Sequence, residues 1–176
     1  MRETAEELRA LQSLLDASHA GATGHLRGII NHDRTLTARE IASLLTGMRV
    51  VTLATVTARG EPRISALDGH FLHGRWTLGT DPSSAKGRQV VARPAVSAAH
   101  VDGEELAVFS HGRADVLTAD HPDRAEVIGH WKAHYGASAL PWDDVLMFQV
   151  VPSWMVGYAF EREKLLRARG VTPDAR

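Results

Sequence analysis

Apolar positions recur at helical spacing at the start of the chain and change to strand-like runs near residue 48. Leu8, Leu11, Leu15 and Ser18 fall three or four apart within residues 4–20, the stripe of one amphipathic helix. Thr4 and Glu7 fit a capping box there, hydroxyl and carboxylate each taking a free backbone N–H. Gly21 and Gly24 end or bend that helix, and a short helical piece is expected over residues 25–30. Thr37 and Glu40 make a second capping box ahead of Ile41, Leu44 and Leu45, with Gly47 as the stop. Residues 1–47 therefore read as a helical extension that packs on the outside of the strands beyond it.

The next stretch is rich in β-branched residues. Residues 50–57 read as a strand, residues 58–61 as a turn and residues 63–67 as the returning strand. Residues 71–72 and 75–78 flank His73-Gly74, a tight hairpin signal. A short helix is expected over residues 84–92, closed before Pro94 because a residue preceding proline avoids helical geometry. Residues 95–101 and 106–117 form the next strand pair around Asp102-Gly103. A helix is expected from Asp120 to about Tyr135, with Pro122 in its first turn, and then a loop over 136–144. Residues 145–151 and 154–160 close the pattern as strands, and 161–176 read as a frayed helix or tail. Antiparallel hairpins at short spacing, with helices at the periphery, predict a mainly β protein built as one antiparallel barrel over residues 48–160.

Composition narrows the function. A chain of 176 residues with 44% hydrophobic content can bury one full core. With 20 basic and 21 acidic residues, dispersed along the chain, it has no field that attracts nucleic acid or an anionic membrane. The absence of cysteine excludes disulfides, thiolate metal sites and cysteine nucleophiles. The charged first residues lack the apolar segment of a signal peptide and no apolar run is long enough to span a bilayer, so a cytoplasmic protein is expected.

Candidate chemistry gathers in residues 80–87. Thr80 and Ser84 offer hydroxyls, Lys86 a mobile positive charge, and the helix starting near Ser84 a set of unpaired N–H groups. Together they suit a phosphate; the same residues also read as an ordinary helix cap with Lys86 in water. Arg63 begins the strand paired with residues 50–57, where it can reach the same anion or lie on the surface. His130 and His134 stand four apart on one helix face, a chelating spacing, but with Trp131 and Tyr135 interleaved and no third ligand in sequence they read as packing. No Ser-His-Asp arrangement, dinucleotide fingerprint or P-loop is present.

The order of segments is then informative. Leu53-Ala54-Thr55-Val56 precedes Gly60 to Ser65, then Trp76 to Thr80, then Ser84-Ala85-Lys86-Gly87. Arg93-Pro94-Ala95-Val96, Ser110 to Ala114 and Val150-Val151-Pro152 with Tyr158 complete the series. Across about residues 48–160 this resembles the pyridoxamine 5′-phosphate oxidase-like family, the flavin-binding split β-barrels. The resemblance implies a homodimer with cofactors in clefts at the subunit interface. It implies that Arg63 and Lys86 bind the cofactor phosphate with Thr80 and Ser84, that Ile64, Ser65 and Ala66 line the isoalloxazine ring, and that Tyr158 reaches the partner's flavin. The cofactor it implies is FMN, or the deazaflavin F420 used by sibling families, acting in an oxidoreductase on a small molecule.

Three departures argue against oxidation of vitamin B6 itself. Asp68 stands near the place of a Lys used on substrate phosphate, and Ala107 near that of a flavin-contacting Gln. The Arg-Leu-x-Pro ending of those enzymes is replaced by residues 172–176. No catalytic side chain and no metal ligand is expected, because the cofactor carries the chemistry. A non-catalytic cofactor-binding or stress-response protein, or a barrel that has lost its ligand, is the alternative.

Overall fold

The computed structural model of the chain describes residues 3–142 and 144–174. Six strands close into an antiparallel barrel: β1 (Met48–Val56), β2 (Pro62–Leu72), β3 (Arg75–Thr80), β4 (Ala95–Asp102), β5 (Leu106–Val116) and β6 (Leu146–Ala159). Their order around the barrel is β1-β2-β3-β6-β5-β4. Closure removes every free sheet edge. The expected class, an antiparallel split barrel with peripheral helices, is the one observed. Inward residues such as Leu53, Trp76, Leu78, Phe148 and Met155 are fully buried and form the main core.

The helices are α1 (Ala5–Ala20), α2 (Gly24–Ile29), α3 (Ala38–Leu44), α4 (Ala85–Ala92), α5 (Arg124–Tyr135) and α6 (Arg162–Ala168). Both capping boxes form, Thr4 with Glu7 and Thr37 with Glu40. The apolar stripe of α1 lies against β6, where the Ser18 hydroxyl accepts from the Met155 N–H at 3.0 Å. Among the described residues no helix is long and apolar enough to cross a membrane.

Four expectations change, each for a physical reason. Residues 63–67 and 71–72 belong to one strand, β2, because Gly69 is not a break. A Cβ there would lie 2.5 Å from Val51 Cγ2, so glycine lets β1 and β2 pack closely. Residues 145–151 and 154–160 likewise merge into β6, and Pro152 is accommodated by a bulge opposite His111 and Gly112. The helix expected from Asp120 starts only at Arg124, since the Arg124 N–H donates to the His121 carbonyl in a preceding turn. At the C-terminal end α6 docks through buried Leu165 and Leu166 rather than fraying.

A second, smaller core lies under α5 and joins Leu72, Leu117, Val127, Trp131, Trp142 and Met147. It fixes α5 beside β2 and β3, and so fixes one wall of the candidate site.

Candidate functional site

Alternation along β2 sets the site. Ile64, Ala66 and Asp68 share its outer face, opposite Ala54, Thr52 and Val50 of β1. A cavity of about 640 Å3 opens on that face, bounded by the start of α4, the end of α5 and the loop after α5. Ala66, Thr80 and Lys86 line it, together with Asp68, Trp131 and Tyr135.

The α4 end holds most of the predicted phosphate seat. The Thr80 and Ser84 hydroxyls are 3.2 Å apart. Ser84 is the N-cap of α4 and accepts from the Gly87 N–H at 3.0 Å. So the capping role and the site role fall on one side chain. A Cβ at Gly87 would meet the Asp81 carbonyl oxygen at 2.6 Å, and glycine is what lets the turn close under the helix. The Ala85 and Lys86 N–H groups lie in the first turn, where no intrahelical acceptor exists. Lys86 is half-buried, forms no salt bridge among the described residues, and is near enough to Asp81 to help keep that carboxyl ionised.

The remaining predicted residues lie apart. Arg63 is exposed, donates to Glu61 Oε2 at 2.9 Å and to the Pro62 carbonyl at 3.1 Å, and does not line the cavity. Its strand partner is Thr55, whose hydroxyl bonds Gln89 of α4 at 2.6 Å, so Arg63 stands on the α4 side of the sheet. Ile64 is 73% exposed and Ser65 points to the opposite face. Tyr158 sits far along β6, opposite Ala107 and bridged to Thr35, away from this cavity.

Sequence patterning does not reveal the α5 wall. Trp131 is buried, with its indole N–H donating to the Thr77 hydroxyl at 3.2 Å. Tyr135, one helical turn on, donates its hydroxyl to Asp68 Oδ2 at 2.9 Å. Burial, then that carboxylate, pushes the Tyr135 phenol up from its ordinary range, so it remains a donor. The available signal was the i, i+4 aromatic pair, which by itself reads as packing alone. The loop after α5 contributes Leu140, Pro141 and Asp144, whereas Trp142 is core and Asp143 lies outside the described residues.

The histidine pair on α5 makes a buried contact of a different kind. His130 Nε2 lies 2.9 Å from His70 Nδ1, and the His134 ring is 4.9 Å from the His70 ring. Burial, reinforced by His130 and His134, lowers His70 to about 4, so it is neutral at neutral pH. Among the described residues no group of three His, Asp or Glu side chains is arranged to hold a metal ion.

A second cavity, of about 450 Å3, lies between α1, the segment before α3 and β6. It has neither Lys nor Arg in its lining and none of the predicted residues, so of these two cavities the one at α4 is the better site for an anionic cofactor.

Comparison with known proteins agrees on the fold. The family model described as pyridoxamine 5′-phosphate oxidase matches residues 37–157. Among curated proteins none matches the sequence. A conserved hypothetical protein of Mycobacterium tuberculosis shares the fold with a TM-score of 0.63 at 20% identity, over 83% of this chain and 95% of that one. A FAD-binding protein of Mesorhizobium loti gives 0.54 at 22% identity, over 71% and 96%. An F420 reductase gives 0.51 at 21% identity, over 64% and 93%. Proteins that store or bind haem share the fold as well.

Proposed function

Because the chain belongs to the pyridoxamine 5′-phosphate oxidase family, we propose that it binds a flavin in the α4 cavity as a homodimer and acts as an oxidoreductase on a small molecule. The observation that carries this reading is Lys86. A half-buried lysine with no ion pair among the described residues, at a helix N-terminus and lining the cavity with Thr80, is suited to take up an anion. FMN is the cofactor of choice, and F420 presents a phosphate to the same seat.

Arg63 completes the seat by leaving Glu61. That ion pair is exposed on both sides, at 55% and 47%, and such pairs contribute little, so a phosphate can take the guanidinium from it. Ala66, which brings only a methyl between Ile64 and Asp68 on the outer face of β2, leaves a flat ring room over the middle of the strand. The flavin supplies hydride or electron transfer; the protein holds its phosphate, fixes its ring and excludes water.

The dimer rests on the outer face of β1, β2 and β4. Val50, Ile64 and Val101 are 57%, 73% and 56% exposed there, among small residues such as Thr52, Ala54 and Ala99. Apolar exposure of that kind, continuous with the cavity mouth, suits a second copy. In such a dimer Tyr158 faces the partner's cofactor.

The test is the absorption spectrum of freshly purified protein. FMN gives bands near about 370 and about 450 nm, F420 one near about 420 nm, and haem an intense band near about 400 nm. Joint replacement of Arg63 and Lys86 by Ala is expected to abolish the colour while the fold is kept. Full retention of flavin, one per chain, in that variant would sink the assignment. Colourless wild-type protein that takes up neither FMN nor F420 would favour the empty barrel; colour without turnover would favour the non-catalytic reading.

A further inference from the structure

The α4 cavity is electrically lopsided. Lys86 is the basic residue of its lining, whereas Asp68, Asp81 and Asp144 bring carboxylates. Hydrogen bonds from Ser83 hold Asp81 below the usual carboxylate range, so it stays charged. Once a phosphate occupies the Lys86 end, the rest of the wall carries uncompensated negative charge. A second anion entering there meets like charge at close range.

The far end of the same cavity is built differently from a phosphate seat. Asp68 is fixed on the outer face of β2 by its pairing with Val50, and Tyr135 takes one of its oxygens. Its other oxygen, Oδ1, has no hydrogen bond among the described residues. Beside it stand two aromatic rings, Trp131 and Tyr135, with centroids 5.5 Å apart and an interplanar angle of 33°. Leu140 and Pro141 add an apolar wall. A carboxylate beside an aromatic and apolar wall recognises an organic cation through its charge and its N–H groups, the apolar body of the cation lying against Tyr135, Leu140 and Pro141.

We propose that the Asp68, Trp131 and Tyr135 end of the cavity is the substrate subsite, and that it takes an organic ammonium ion with an apolar body in preference to a phosphate or carboxylate. Its being a substrate subsite rests on the flavin reading. The preference for a cation is a property of the wall itself.

The experiment is a calorimetric titration of the protein as purified with three probes of matched size: phenethylamine, phenethyl alcohol and phenylacetate. The amine is expected to bind, the alcohol at least about tenfold more weakly, and the carboxylate more weakly still. Asp68→Asn should bring amine and alcohol to within about threefold of each other, and Asp68→Lys should reverse the order of amine and carboxylate. Asp68 is exposed and lies outside the phosphate seat, so both variants should fold and keep the colour of the wild type. The proposal is overturned if the wild type binds the alcohol as tightly as the amine, if millimolar amine is not taken up, or if Asp68→Asn leaves the ratio unchanged. These outcomes are independent of the spectrum: a colourless protein that takes up neither FMN nor F420 and still prefers the amine refutes the flavin reading alone, and a coloured one without the preference refutes the subsite alone.

Discussion

Two places in this protein bring charge inward, and the fold treats them in opposite ways. Beneath α3 and α6, Glu40 is fully buried and every valence of its carboxylate is used. Arg162 grips both oxygens, and the N–H groups of Thr37 and Asp174 each donate at 3.0 Å. At the mouth of α4, Lys86 is left half-buried with hydroxyls and free N–H groups around it but no ion pair among the described residues. The first arrangement ties α3 to the C-terminal end of the chain. The second leaves a charge that faces a cavity without an ion pair among the described residues. Stability is concentrated in one region and binding capacity in the other, because a site that satisfied itself would have nothing left for a ligand.

Glu40→Ala tests this contrast with the largest effect. It leaves Arg162 buried and unpaired, and a loss of about 3–5 kcal/mol in urea unfolding is expected. Lys86→Ala, on the other side, is expected to shift stability by no more than about 0.5 kcal/mol. Equal losses from the two substitutions would erase the distinction.

The pH dependence sharpens it through two histidines three residues apart. His70 is neutral in the fold and lowered from 6.5 to about 4, so the unfolded chain binds the proton first. Stability is full above pH 6.5 and falls as pH drops towards 4, by on the order of 3 kcal/mol. His73 behaves in reverse. Both its nitrogens meet carboxylates, Glu7 Oε1 at 2.9 Å and Glu126 Oε1 at 3.0 Å, and both can donate only as imidazolium. Although burial opposes the charge, these two partners raise its pKa above 6.5. Its contribution is complete below pH 6.5 and is lost as pH rises through the raised value. Urea midpoints measured against pH should lose their acid slope in His70→Phe. In His73→Asn, chosen because asparagine tolerates the φ of 54° found there, the loss should be greater at pH 6 than at pH 9. Matching profiles for the two variants would show that His70 and His73 do not contribute to stability in opposite senses of pH.

Apart from the near-neutral Lys86→Ala, the smallest effect on stability belongs to the residue that serves both purposes. Ser84→Ala removes the cap of α4 and should cost about 1 kcal/mol in thermal or urea unfolding. It should also weaken cofactor retention, since the same hydroxyl stands 3.2 Å from Thr80 in the proposed seat. A stability loss with unchanged retention would reduce Ser84 to a cap.

Sequence alone determined the local devices. Thr4 with Glu7 and Thr37 with Glu40 cap helices, and His73-Gly74 turns a hairpin with φ of 54° and 73°. Each depends on residues within a few positions, so the chain declares them directly. The grouping of Thr80, Ser84 and Lys86 is legible for the same reason. What only the tertiary structure decided were contacts between distant positions: Asp68 with Tyr135, 67 residues apart, and Glu40 with Arg162, 122 apart. Glu40 shows the limit well, since its capping role is visible in four residues and its burial against Arg162 in none of them. Gly69 and Pro152 look like breaks in the pattern because their reasons, the close approach of Val51 and a bulge opposite Gly112, belong to neighbouring strands. Barrel closure chooses those neighbours, and no local propensity encodes which strands will meet.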